Sequence, residues 1–192
     1  MALGILGGTF DPVHVAHLIA AETAVDELGL DSVVLIPAAR PPHKEGESVS
    51  PFEDRLEMVR LAIADNPALE ASDLEASRPG ASYTIQTVRE VRTRYAVDDL
   101  WFVMGADSLT QFLTWKDPEA LLEECRFAVV PRPGVDPGDA DPRVLGRTVM
   151  LDMPFVGVSA TDIRSRVRAG RTIRYQVPAS VESYIREKSL YS

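Results

Sequence analysis

A single cysteine, Cys125, excludes an intramolecular disulfide framework and any metal site built from several thiolates. It lies in a helix-like stretch just before a strand pattern, where a buried, inert thiol is the simplest reading. No apolar run approaches the roughly 20 residues that a membrane-spanning helix needs. Met1-Ala2-Leu3 lacks the basic start and cleavage site of a secretory leader, so the expected location is the cytoplasm, with no membrane partner. Basic charge is scarce: 20 Lys and Arg stand against 29 Asp and Glu, a net charge of −9, which argues against nucleic acid as a general partner. Histidine is scarcer still, and all three fall within the first 43 residues. Three motifs are also missing. There is no G-x-x-x-x-G-K-[ST] phosphate loop and no G-x-S-x-G nucleophile turn, and Gly4, Gly7 and Gly8 have the wrong spacing for a dinucleotide-binding G-x-G-x-x-G.

What is present begins at Leu3. The stretch LGILGGTFDPVHVAH reads as a short buried strand, a Gly7-Gly8 turn and a helix start. A helix start offers free backbone N–H groups to a phosphate. His14 and His17 are three apart, so on a helix they share a face. One imidazole could instead cap the turn while the other is a polar surface group; local chemistry alone points only to a phosphate or nucleotide site.

The chain of 192 residues is expected to form one domain. At that length roughly 70% of the unfolded chain's surface is buried, enough for a full α/β core. The pattern predicts strands at 3–6, 33–36, 69–74, 100–104, 127–130 and 148–151, the third and the last less strongly marked, alternating with helices. The first helix runs from about His14 to Leu28 and stops at Gly29. A second starts with Ser50 as N-cap, Pro51 in the first helical position and Glu53 closing a capping box. A third opens at Ser82 or Tyr83. The residues from Pro131 to Arg147, rich in Pro, Gly and Asp, read as an exposed loop. Ser159 caps a late helix with Asp162 at its third position, and Gly170 ends it. Such alternation favours a doubly wound parallel sheet, with ligands at the carboxyl ends of the strands.

Charge gathers late in the chain. Ser159 to Lys188 carries seven basic and three acidic residues, leaving −13 for the remainder, which suggests a local anion site. Arg164 and Arg168 lie four apart on the late helix, beside its free N–H groups. Lys44 follows Pro41-Pro42-His43 on the loop after the second strand and is either a solvated lysine or a phosphate-neutralising one. Trp115 is either core or a stacking surface for an aromatic ring. Tyr83 and Thr84 sit at a helix start, where amides can receive a carboxylate.

Taken in order, these residues resemble the bacterial nicotinate-mononucleotide adenylyltransferases, within the nucleotidyltransferase superfamily that uses an H-x-G-H-like motif. The likeness rests on Gly7-Gly8-Thr9-Phe10-Asp11-Pro12-Val13-His14 through His17, Pro41-Pro42-His43-Lys44, Ser82-Tyr83-Thr84, Gly105-Ala106-Asp107, Trp115 and Ser159-Ala160-Thr161-Asp162-Ile163-Arg164. It continues through Ile173-Arg174-Tyr175 and Pro178 to Tyr184, covering nearly the whole chain. Ala16 stands where the family usually has Gly, and Ala160 replaces the second Ser of the late motif.

The resemblance implies an α/β, Rossmann-like nucleotidyltransferase fold: a doubly wound parallel sheet with helices on both faces and a small C-terminal helical part. Residues 1–192 would form a single domain, with 159–192 completing the ATP site. The implied reaction moves the adenylyl group of ATP to nicotinate mononucleotide, giving nicotinate adenine dinucleotide and pyrophosphate, in NAD biosynthesis. His14, His17, Lys44 and Arg164 would be catalytic. Gly7, Gly8, Thr9, Phe10, Gly105, Asp107, Ser159, Thr161 and Ile163 would serve ATP. Tyr83, Thr84, Trp115, Asp11, Lys44 and Arg132 would serve the mononucleotide. Mg²⁺ would arrive on the nucleotide, with no direct protein ligand. The alternatives are a related adenylyl- or cytidylyltransferase acting on another phosphorylated acceptor, such as phosphopantetheine, and a nucleotide sensor without turnover. Nothing in the pattern favours a homo-oligomer over a monomer.

Overall fold

The computed structural model describes residues 1–41, 49–78, 80–132 and 134–192. Lys44 and most of the Pro-Pro-His-Lys motif therefore lie outside the described residues. Six parallel strands form one sheet in the order β3-β2-β1-β4-β5-β6: β1 Ala2–Gly8, β2 Ser32–Pro37, β3 Leu69–Ala71, β4 Asp99–Gly105, β5 Arg126–Val130 and β6 Thr148–Met150. Each central strand is apolar on both sides and feeds two cores. In β2, Val33 and Leu35 enter one core while Val34 and Ile36 enter the other. Helices α1 (Val15–Leu28), α2 (Phe52–Ile63), α7 (Ala160–Arg168) and α8 (Ala179–Glu187) cover the first face. Helices α3 (Thr84–Tyr95), α4 (Ala106–Thr110), α5 (Pro118–Glu124) and α6 (Pro142–Leu145) cover the second. Strands buried on both faces and joined through helices make the doubly wound arrangement. No helix among the described residues is long and apolar enough to cross a membrane.

Helix boundaries follow their local chemistry where caps are present. Gly29, at φ 61°, ends α1 in the left-handed conformation. Ser159 caps α7 by accepting the Asp162 amide at 3.1 Å, and its hydroxyl donates to the Asp162 carboxylate at 2.7 Å.

Three expectations are corrected. Gly7 and Gly8 are not a turn: both stay in β1, paired with Ile36 and Pro37. Their role is close packing, because a Cβ at Gly7 would lie 3.3 Å from the Phe102 ring and one at Gly8 3.2 Å from the Phe10 ring. The chain turns later, with Phe10 at φ 49° and a cis bond between Asp11 and Pro12. Ser50 does not cap α2; the capping position is Pro51, without a side-chain cap. The Ser50 backbone is engaged elsewhere, its N–H donating to Asp11 at 3.2 Å and its carbonyl accepting Arg55 Nε at 2.9 Å. The segment from Pro131 to Arg147 is not simply an exposed loop. Asp136 and Asp141 each accept an amide two residues on, starting short helical turns that bury Ala140 and Val144 against the second core.

Candidate active site

The strand order reverses between β1 and β4, and that crevice holds two adjoining cavities. The larger, about 520 Å³, opens over the carboxyl ends of β1, β2, β4 and β5. Gly7, Gly8, Thr9, Gly105, Asp107, Tyr83, Thr84, Trp115 and Arg132 line it. The smaller, about 190 Å³, is lined by Thr9, Phe10, Asp11, Ser159, Ala160 and Arg164. His14, His17, Thr9, Arg132 and Val158 belong to both walls. The imidazole pair therefore stands where the two spaces meet.

His14 occupies the N-cap of α1 in extended backbone, which places its ring beside that of His17. The rings stack with centroids 3.7 Å apart, and Phe10 packs edge-on to His17 at 4.9 Å. His17 Nδ1 accepts the His14 amide at 3.2 Å, so the neutral ring carries its proton on Nε2. Burial, helped by the Arg132 guanidinium, lowers the His14 pKa to about 4. Burial, with His14 and Arg132 adding to it, pushes His17 well below the usual imidazole value. Both rings are neutral at pH 7. His14 Nδ1 is buried without a hydrogen-bond partner among the described residues.

Arg164 reaches from α7 to the first loop: Nη1 donates to the Asp11 carbonyl at 2.7 Å and Nη2 to Thr161 Oγ1 at 3.3 Å. Across the larger cavity, Arg132 pairs with Asp107 at 3.5 Å, both half-exposed at the mouth. The Trp115 ring is held by Phe102 at 5.8 Å and Phe112 at 5.5 Å, presenting an aromatic surface to the cavity. Tyr83 is the N-cap of α3 and Thr84 its first residue, so the start of that helix borders the larger cavity, while the Gln86 amide is already bonded to the Tyr83 carbonyl at 3.0 Å. Two expected residues stand outside both cavities: Ile163 is fully buried in the first core, and Thr161 is exposed beside Arg164. Asp11 borders only the smaller cavity, and its carboxylate is taken up by Ser50 and Tyr191.

A model of the family described as Cytidylyltransferase-like matches residues 5–166. A Thermus thermophilus protein named "Probable nicotinate-nucleotide adenylyltransferase" is 46% identical, covering 100% of both chains. One of the same name from Desulfitobacterium hafniense is 43% identical over 98% of this chain and 95% of its own. This chain belongs to the nicotinate-nucleotide adenylyltransferase family. In fold it is similar to the Plasmodium falciparum nicotinic acid mononucleotide adenylyltransferase complexed with NaAD, with a TM-score of 0.81 at 18% identity over 99% of this chain and 97% of the other. The Rossmann-like nucleotidyltransferase fold expected from the resemblance is thus the fold observed.

Within this family member, two residues that shape the site carry no local signal. Arg55, only 2% exposed, donates Nη1 to the Thr9 carbonyl at 2.7 Å and to that of Ala38 at 2.9 Å. It ties the ends of β1 and β2 together. In the sequence it reads as a solvated charge next to the apolar Leu56. Tyr191 donates its hydroxyl to Asp11 Oδ1 at 2.7 Å, a contact between positions too far apart for any local pattern to reveal.

Proposed function

We propose that this chain transfers the adenylyl group of ATP to nicotinate mononucleotide, releasing pyrophosphate and forming nicotinate adenine dinucleotide. The observation that carries the proposal is the shared His14–His17 wall between an aromatic-lined cavity and a smaller one closed by Arg164 and the start of α7. The triphosphate and the acceptor, both anionic, need neighbouring compartments whose common wall donates hydrogen bonds.

In this scheme a phosphate oxygen of the mononucleotide attacks the α-phosphorus of ATP while the bond to the β-phosphate oxygen breaks. The phosphate is already ionised, so no general base and no covalent intermediate are required. His17 Nε2–H and the His14 ring face the developing charge, and Arg164 and Lys44 offset that of the departing pyrophosphate. Ser159, Ala160 and Thr161 supply the first-turn donors of α7. Gly105 and Asp107 hold the adenosine side, with Gly7, Gly8, Thr9 and Phe10 shaping the floor. Trp115 stacks on the pyridine ring, the amides at Tyr83 and Thr84 receive its carboxylate, and Arg132 takes the acceptor phosphate. The chain works as one domain, residues 159–192 closing the ATP side.

Mg²⁺ enters as part of the ATP substrate. Among the described residues, no group of three or more His, Cys, Asp or Glu side chains could hold a metal ion, and Asp11 is already engaged by Ser50 and Tyr191. The donors lining the smaller cavity suit phosphate oxygens. The ion would withdraw charge from those oxygens in the transition state.

The test is pyrophosphate release from ATP and Mg²⁺ with nicotinate mononucleotide, the nicotinamide form or phosphopantetheine as acceptor. Release fastest with the nicotinate form is expected. Faster release with phosphopantetheine, or none with any acceptor, would overturn the proposal.

A further inference from the structure

Beneath the first loop lies a polar cluster of which the chemistry above uses only Arg164. Asp11 is 3% exposed, and a buried carboxylate requires donors on its oxygens. Oδ2 accepts the Ser50 amide at 3.2 Å, and Oδ1 accepts the Tyr191 hydroxyl at 2.7 Å. The Asp11 carbonyl accepts Arg164 Nη1 at 2.7 Å, and the Thr9 carbonyl accepts Arg55 Nη1 at 2.7 Å. Loop residues 9–11 are therefore gripped from three directions, by α2, by α7 and by the stretch after α8. Thr9, Phe10, Asp11 and Arg164 line the smaller cavity, whereas Tyr191 does not.

We infer that Tyr191 is a positioning residue for ATP: its hydroxyl fixes the Asp11 carboxylate and, through the Asp11 main chain, the direction of Arg164 into the triphosphate cavity. Burial and the adjacent carboxylate raise the phenol pKa, so the group remains an O–H donor at neutral pH. A phenyl ring at this position would keep the packing and leave Oδ1 without that donor. The consequence belongs to the ATP side, because the larger cavity's aromatic wall of Phe102, Phe112 and Trp115 stands on the opposite core.

This inference rests on the proposed adenylyl transfer. Its test compares Tyr191→Phe with Tyr184→Phe, which removes a similar phenol–carboxylate bond (to Asp54, 2.8 Å) away from the loop. Titration with a non-hydrolysable ATP analogue is expected to show about tenfold weaker binding for Tyr191→Phe, the scale of one lost hydrogen bond to a charged group. Its KM for ATP rises in parallel while KM for the mononucleotide stays unchanged. Tyr184→Phe lowers the thermal midpoint but leaves analogue binding at the wild-type level. Equal analogue binding by wild type and a folded Tyr191→Phe would overturn the positioning role alone, as would equal weakening in both variants. Failure of Tyr191→Phe to fold would assign the hydroxyl to stability and also overturn it. Failure of the wild-type protein to bind the analogue would overturn the functional reading and this role with it.

Discussion

His14 and His17 present two neutral rings, 3.7 Å apart, to the place where a triphosphate is proposed to bind. Burial is the main cause of their neutrality. Neutral rings with a fixed donor need no change of proton state to stabilise a developing oxyanion. Replacing His17 with Ala is expected to lower kcat roughly 10²-fold, the usual effect of deleting one transition-state donor. Pyrophosphate release measures it, and an unchanged thermal midpoint shows that the fold persists. The same burial makes folding pH-dependent. Well above pH 6.5 neither the folded nor the unfolded chain protonates His14, so stability there does not depend on this group. As pH falls from 6.5 toward about 4, the unfolded chain takes up a proton that the folded one refuses, and stability drops. By pH 5 His14 alone should cost about 2 kcal/mol. Urea unfolding at pH 7 and pH 5 should show that loss, and it should shrink in His14→Gln. That His14 and His17 come together is legible from their spacing, but the shared helix face is not what joins them: His14 reaches His17 from the extended N-cap, one residue before α1. The neighbours that set their proton state are not legible, because Arg132 comes from the far end of β5.

Elements that carry their own stop and start signals can be read directly. The late helix is the clearest case: Ser159, Asp162 and Gly170 mark its ends, and α7 occupies the span between them. Ser159→Ala should destabilise the protein by about 1 kcal/mol through loss of the cap. Urea unfolding reads that change, and ATP binding should weaken with it because the first turn borders the triphosphate cavity. Elements whose shape is decided by distant partners do not show it in their local sequence. The Gly7-Gly8 pair resembles a turn, but what favours a small residue there is the close approach of the Phe102 and Phe10 rings. Ser50 has the sequence of a helix cap, yet its backbone is drawn into the cluster of Asp11 and Arg55. The Pro- and Asp-rich run after β5 encodes capped turns that pack on the core, a distinction composition alone does not make.

At the scale of the molecule, alternating apolar strands and helices were enough to indicate a doubly wound sheet. The order of the strands was not, since it depends on which pairs meet across the sheet and not on any local run of residues. That order places β1 beside β4 and opens the crevice where groups from the first loop, α3, β4, β5 and α7 converge. The proposed activity depends on the triphosphate of ATP lying in the smaller cavity and the acceptor in the larger, with the α-phosphate at the imidazole wall between them. The most direct test is a crystal structure with a non-hydrolysable ATP analogue and nicotinate mononucleotide bound together. The expected result places an acceptor phosphate oxygen about 3–3.5 Å from the α-phosphorus, with His14 and His17 against that phosphate, Arg164 on the β- and γ-phosphates and Trp115 over the pyridine ring. An α-phosphate bound away from the two histidines, or an acceptor held outside the larger cavity, would contradict it.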